Sequence, residues 1–326
     1  MRAIVVREFG PPEVMKLDTV DDPVPQGGHV LVRVKATGVN PVDTYIRSGA
    51  HVIKPKLPYV PGFDAAGIVD AIGPDVRAVR AGQRVYVSGA TPLGLNGTYA
   101  EGVVCDEAQV HPLPDRITFA QGAGINTPYA TALRALVQRA QARAGEWVLV
   151  HGASGGVGTA AVQIARALGM QVIGSAGTTD GLELVRRQGA QHVVNHREPG
   201  YLDTVMQITG GRGVDVVLEM LANVNLAKDL TVIALRGRIC VIGNRGTIEI
   251  DPRKAMSKDA AILGVQLGLT PPEDRRSLHA FIGAGLANGT LTPVVGQELP
   301  LADAPRAHVA VMEPGAKGKI VLVSGE

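Results

Sequence analysis

The chain has 326 residues, 32 Lys and Arg against 30 Asp and Glu, and only four Phe, six Tyr and one Trp. That balance offers no strong field for phosphates, and few aromatic platforms exist for stacking bases, so a dedicated nucleic-acid reader is disfavoured. Two distant cysteines, Cys105 and Cys240, cannot make a four-cysteine zinc cage or a disulfide framework, and no run of about 18 uncharged apolar residues exists to span a membrane.

At about 100–200 residues per domain the length predicts two domains. The N-terminal apolar run, Ala3-Ile-Val-Val6, stops at Arg7 and Glu8 and is too short for a signal peptide. A cytoplasmic protein with two unpaired, buried thiols is therefore expected, a single Cys105–Cys240 bridge being the alternative. Up to about residue 120, short apolar runs alternate with Gly and Pro, as in His29–Lys35, Ala66–Ile72 and Gln83–Ser88. That texture predicts short, mostly antiparallel strands. From Phe119 the apolar spacing becomes helical, and strands begin to alternate with helices. Strands are predicted at Trp147–Val150, Gln171–Ser175, His192–Asn195, Val214–Leu218 and Arg238–Ile242, with helices at Thr159–Leu168, Gly181–Gln188 and Leu202–Ile208. Such βα alternation implies a parallel sheet with helices on both faces. After Ile262–Leu267 and a helix at Pro272–Ala287, the tail returns to turn-rich strand texture ending in Lys319–Val323.

The most informative stretch is the strand–turn–helix at Val148–Arg166, whose turn reads Gly152-Ala-Ser-Gly-Gly-Val-Gly158. The dinucleotide fingerprint G-x-G-x-x-G falls on Ala153, Gly155 and Gly158, with alanine at the first position. Gly155 would let backbone approach a pyrophosphate, Gly158 would let helix and strand pack closely, and the helix N-terminus would offer free N–H groups. Gly152–Gly156 also matches the hydrolase elbow G-x-S-x-G on Ser154, but the continuation Val157-Gly158 favours the dinucleotide reading. NAD requires an acid at the end of the next strand to bond its ribose. That end reads Gly174-Ser-Ala-Gly-Thr-Thr-Asp180, with Asp180 explained as a helix N-cap in a capping box with Glu183. Small polar residues there, with Arg186, Arg187, His196 and Arg197 in reach, favour NADPH over NADH. His151, beside the turn, reads as a strand-end residue rather than a catalytic base.

Gly145-Glu146, Leu149, the run at 153–158, Gln163 and Arg166 together resemble the signature of the zeta-crystallin quinone oxidoreductases. These form a zinc-free branch of the medium-chain dehydrogenase/reductase superfamily. The likeness extends to Gly38–Gly49, Pro61–Gly67, Asn195–Glu198, Glu219–Leu226 and Arg245–Ile250. The resemblance implies an α/β protein in which a doubly wound Rossmann sheet is inserted in a GroES-like, β-rich catalytic domain, the active cleft lying between the two. The expected divisions are 1–124 (GroES-like), 125–264 (Rossmann) and 265–326 (return to the catalytic domain).

Carried over by resemblance, Tyr45, Asn40, Asp43 and Thr131 are the catalytic candidates, with Tyr45 also near the nicotinamide. Ser154, Gly155, Gly156, Val157 and Gly158 would meet the pyrophosphate, and Gly177, Thr178 and His196 the adenosine phosphate. Asn225, Ile242, Gly243, Asn244, Arg245, Val265, Gln266 and Leu267 would line the nicotinamide half. Some relatives carry a lysine for the 2′-phosphate where this chain has Gly181, and some a tyrosine where it has Leu133. Zinc-dependent relatives place a cysteine and a His-Glu pair where this chain has Asn40, Phe63 and Asp64, so no zinc is expected, and no flavin. His192 and His196 are spaced i,i+4 but lie in strand-like sequence, so they are not read as a ligand pair.

The implied activity is reduction of a quinone, or another small electrophilic acceptor, by NADPH without metal. An enone or alkenal double-bond reductase is the nearest alternative, and an RNA-binding or structural crystallin-like protein is the alternative of another class. The resemblance also implies a homodimer through the edge strand near 262–267, with tetramers in some members, and no membrane partner.

Overall fold

The structure is a computed structural model describing residues 1–89 and 94–324. Two compact units divide the chain: Met1–Thr127 with Gly283–Glu313 and Gly318–Glu326, and Pro128–Ile282 with Pro314–Lys317. The crossings after Thr127 and Ile282 compare with sequence-based expectations of 124 and 264. The second lies inside a helix, where composition does not change and only the contacts pass from one unit to the other.

In the β-rich unit, β1 (Arg2–Val6) and β2 (Met15–Thr19) form an antiparallel pair. β3 (His29–Val39) then runs into α1 (Pro41–Arg47), followed by β4 (Asp64–Ile72), β5 (Arg84–Ser88), β6 (Gly102–Asp106) and β7 (Val110–Pro112). Strand β3 alternates at first, burying Val30, Val32 and Val34 while Arg33 and Lys35 face water, and from Ala36 to Val39 it is buried throughout. That switch marks where the strand approaches the polar centre described below. Its valines join Val69, Val85, Val87 and Val103 in one apolar cluster. After α2 (Phe119–Gly122), residues 126–139 form a helical stretch that is π-helical, then α-helical as α3 (Thr131–Leu133), then π-helical again. π turns of this kind recur at functional sites.

The second unit runs β8 (Trp147–Val150), α4 (Gly156–Ala167), β9 (Gln171–Ala176), α5 (Thr179–Arg187), β10 (His192–Asn195) and α6 (Tyr201–Ile208). It continues with β11 (Val214–Glu219), α7 (Ala222–Val232), β12 (Ile233–Val241), α8 (Pro252–Met256) and β13 (Ala261–Gly264), then α9 (Pro272–Asn288). All six strands pair in parallel in the order β10-β9-β8-β11-β12-β13. Strand order therefore reverses between β8 and β11, the switch point at which open α/β sheets bind ligands. The strand centres are near-continuous hydrophobic runs, as burial on both faces demands: Val148, Leu149, Val150, Val216, Val217 and Leu218 are all fully buried.

The chain ends with β14 (Val295–Pro300), α10 (Ala304–Ala310) and β15 (Lys319–Val323). β15 lies between β14 and β3 in the seven-stranded sheet β14-β15-β3-β4-β5-β7, with β6 also on β3. Helix α10 departs from the strand texture read for this tail; Pro305 in its first turn suits a helix start but reads equally as a turn residue. Cys105 and Cys240 are free and buried. Among the described residues no helix is long and apolar enough to cross a membrane.

Gly158 shows why the turn into α4 needs glycine, since an added Cβ would lie 2.3 Å from the Gly152 carbonyl oxygen and 2.5 Å from the Ala153 Cα. Gly158→Ala must push helix from strand, and by overpacking should cost about 1–3 kcal/mol in urea unfolding. Unchanged stability would show that the turn has slack the geometry does not reveal.

Candidate active site

Strand β3 delivers Asn40 to the start of α1, and Pro41 follows in the first turn, where its missing N–H costs nothing. The Asn40 backbone N–H donates to Asp43 Oδ2 at 2.8 Å, closing the loop on itself. Asp64, first residue of β4, is 1 % exposed. Its carboxylate accepts from Asn40 Nδ2 (3.0 Å), Asn126 Nδ2 (2.8 Å), Thr127 Oγ1 (2.8 Å) and the Thr127 N–H (3.3 Å). The Lys319 ammonium, opening β15 and also buried, donates to Asn40 Oδ1 and sits 3.8 Å from Asp64. Tyr99 OH donates to Asp43 Oδ2 at 3.2 Å and lies 3.1 Å from His308 Nε2.

This unit therefore holds a buried polar network of two acids and one ammonium. Burial pushes the Asp43 carboxyl up to about 7, with Asp64 adding to the effect, while the Asn40 N–H, Lys319 and Tyr99 oppose it. Among the described residues Asp43 Oδ1 has no hydrogen-bond partner. Burial draws the Lys319 ammonium below its ordinary value, against the pull of Asp64 and Asp43. Asn40 and Asp43 thus meet as the sequence suggested, with Tyr45 half-buried on the same helix. Lys319, Asp64 as an acceptor hub, and Tyr99 were missed as site residues. Lys319 appears in the sequence only as the polar start of an apolar strand.

In the second unit, the expected cofactor residues gather at the C-terminal ends of the parallel strands. Ser154–Gly158 follow β8, Gly177 and Thr178 follow β9, His196 follows β10, Asn225 lies on α7 after β11, Ile242–Arg245 follow β12 and Val265–Leu267 follow β13. The left-handed residue of the glycine turn is Gly152, at φ 55°, so Ala153 at the fingerprint's first position carries no strain. Gly155 caps α4, whose first N–H groups are free to meet an anion. A Cβ at Gly177 would lie 2.7 Å from His196 Nε2, so a larger residue would displace the His196 side chain. These features fit a dinucleotide. Thr131, in the helical stretch at 126–139, is buried.

Two expectations are corrected here, and a third is extended. The N-cap of α5 is Thr178, whose Oγ1 accepts from the Gly181 N–H at 3.1 Å; Asp180 lies within the first turn and pairs with Lys317 at 2.6 Å. The short polar Thr178 precedes the helix equally well, which the sequence could not rank. Arg186 and Arg187 are not at the strand end: they occupy the last turn of α5, 3.8 and 3.6 Å from Glu183. His151 is more than a strand-end residue. Its Nε2 lies 2.8 Å from Asp229 Oδ1 and 3.5 Å from Glu219 Oε2, all three fully enclosed. Burial works against a charged His151, but the bond to Asp229 and the charges of Asp229 and Glu219 outweigh it and hold the ring above its usual value. Glu219 also accepts from Asn225 Nδ2 at 3.2 Å, and its backbone oxygen from the N–H groups of Ile242 (2.9 Å) and Gly243 (3.2 Å). It thereby ties together the turns that follow β11 and β12.

Known proteins place this arrangement. Residues 26–115 match the alcohol dehydrogenase GroES-like domain and residues 156–283 match the zinc-binding dehydrogenase family. Human quinone oxidoreductase is 47% identical over 325 residues, 99% of this chain and 98% of that protein. A crystal structure of an NAD-dependent alcohol dehydrogenase superposes with a TM-score of 0.93 at 33% identity, covering 100% of both chains. The quinone oxidoreductase of Escherichia coli, complexed with NADPH, superposes at 0.89 and 29% identity, covering 99% of this chain and 100% of that one. The chain belongs to the quinone oxidoreductase family of the medium-chain dehydrogenases/reductases.

The raised Asp43 has a consequence for stability. A carboxyl near 4 when unfolded and near 7 when folded holds its proton more tightly in the native state, so stability falls as pH rises through that window. Asp43→Asn should remove this part of the slope: its melting temperature, followed from pH 5 to 8, should decline less than that of the parent protein. An unchanged slope would mean that Asp43 is ionised throughout.

Proposed function

We propose that this protein is an NADPH-dependent, zinc-independent quinone reductase. The observation that carries the reading is the 47% identity to human quinone oxidoreductase across essentially the whole of both chains. The strand ends support NADPH, since Gly177 and Thr178 follow β9 and His196 follows β10, with no acid in the ribose-binding position. In this reading Ser154, Gly155, Gly156, Val157 and Gly158 hold the pyrophosphate, and Asn225, Ile242 to Arg245 and Val265 to Leu267 orient the nicotinamide. When bound, the cofactor supplies the reducing equivalents. The chain's own task is binding, orientation and exclusion of water. Tyr45 Oη is assigned either as proton donor to the reduced acceptor, in place of water, or as the hydroxyl that positions the cofactor, with Asn40 and Asp43 fixing its helix and Thr131 beside the nicotinamide.

Zinc independence is supported by the chemistry of the donors. Asn40 and Phe63 are not zinc ligands, Asp64 is engaged by Asn126 and Thr127, and an ammonium takes the cationic place beside it. His151, Glu219 and Asp229 form the one metal-capable trio among the described residues, and there a hydrogen bond already joins His151 to Asp229. Free, buried cysteines support a reducing, cytoplasmic location. The test is NADPH and NADH oxidation over ortho-quinones, para-quinones and enones, before and after dialysis against a chelator. Quinone turnover with NADPH that survives dialysis is expected; preference for enones, for NADH, or loss with zinc removal would each reject the corresponding part.

A homodimer through β13 is supported by its place at the sheet edge, by exposed Ile262 on it, by exposed Leu235 on the neighbouring strand β12 and by exposed Met256 on α8. Ile262→Lys should convert a dimer into a monomer in sedimentation equilibrium; a parent protein already monomeric would reject the interface.

A further inference from the structure

The NADPH reading leaves one deficit. A 2′-phosphate carries close to two negative charges, yet the position where some relatives offer a lysine is Gly181. Arg186 and Arg187 are occupied at the far end of α5. His196 is held below the ordinary imidazole value by desolvation, then by the charges of His151 and Arg197, so it serves near neutrality as a hydrogen-bonding group rather than a cation.

The missing charge arrives from elsewhere in the chain. Residues 314–317 belong to the same compact unit as the dinucleotide turn. A Cβ at Gly315 would lie 3.9 Å from Thr178 Cγ2, and one at Gly155 would lie 3.7 Å from Ala316 Cβ. Lys317 then reaches the first turn of α5, its Nζ 2.6 Å from Asp180 Oδ2. Across the same corner, a Cβ at Gly177 would meet Arg197 Nε at 2.9 Å. Three segments remote in sequence thus converge where β9 ends, and two of them bring a permanent cation.

We propose that Lys317 is a specificity-determining residue for NADPH, pairing with the 2′-phosphate alongside Arg197 and His196, and that Asp180 holds it in place until the cofactor binds. The proposal rests on the NADPH reading. Lys317 and Asp180 are both exposed, at 52% and 74% of their side-chain surface, so their ion pair is weak and its ammonium is easily surrendered to a phosphate. A phosphate offers more charge and more acceptor oxygens than one carboxylate. The same ammonium has no partner on the bare ribose of NADH, so its contribution is selective.

The test is equilibrium binding, read from nicotinamide fluorescence, of NADPH and NADH to the parent protein, to Lys317→Met and to Asp180→Asn. Lys317→Met should weaken NADPH about tenfold, as expected for loss of a charge-assisted bond, and leave NADH within about twofold. It should also lower the dependence of NADPH affinity on salt. Asp180→Asn, which frees the ammonium, should tighten NADPH binding and not NADH. Unchanged NADPH affinity in Lys317→Met, or equal losses for both cofactors, would overturn the assignment of Lys317. Weaker NADPH binding in Asp180→Asn would overturn the holding role of Asp180. A parent protein that binds NADH as tightly as NADPH would instead overturn the cofactor reading itself, which separates the two failures.

Discussion

The burial of Asp64 is the constraint on which the β-rich unit depends. A carboxylate taken out of water is tolerable only when its oxygens are met by donors and its charge by a counter-ion. Here those conditions fix several distant elements at once: the Asn40 amide after β3, Asn126 and Thr127 at the start of the helical stretch, and Lys319 on β15. Withdrawing one partner of such a buried pair costs about 3–5 kcal/mol, mostly because the other is left uncompensated. The network is therefore a device for holding α1, and with it Tyr45, in one orientation. It also explains why the loop retains a charged residue at Asp64 although its neighbours suit no metal.

The second unit solves a different problem. Its parallel sheet must be covered on both faces, and its ligand chemistry can lie only at the strand ends, where backbone N–H groups emerge. Glycine at 152, 155, 158 and 177 keeps those ends open or closely packed as each place requires. Beneath them, Glu219 couples a buried charge cluster to the turns after β11 and β12. Burial pushes this acid up from its ordinary value, with Asp229 adding to the effect and His151 opposing it. The turns after β11 and β12 thus rest on a buried, hydrogen-bonded support.

Much of this was legible in residue order. Trp147–Val150, His192–Asn195 and Lys319–Val323 were read with their observed ends, because short apolar runs bounded by turn residues have little freedom. The glycine turn pointed to a dinucleotide through its context, a strand before it, a helix after it and the continuation Val157-Gly158. What escaped was of another kind. Asn40 is visible as a cap-like residue, but nothing near it in sequence says that its amide meets Lys319, 279 residues away. The same is true of His151 and Asp229, and of Lys317 and Asp180. Local propensity records φ and ψ preferences; which polar groups satisfy one another is set by tertiary packing, and there the sequence is silent. Helix α10 escaped for a more local reason, being seven residues with an early proline that turns share.

Strand β15 carries one more implication, for the order in which the protein is made. It follows every other described strand in the chain, yet it occupies an interior place in its sheet, between β14 and β3, and it brings the counter-ion of Asp64. On a ribosome the N-terminal unit begins first but cannot be completed until Lys319–Val323 has emerged. The inserted unit has all its strands by Gly264. Domains generally mature in the order of synthesis; here the one begun later is assembled first, and the half-built sheet waits with an unpaired edge and an uncompensated acid. Truncation or stalling before Lys319 would therefore strike the N-terminal half of the protein.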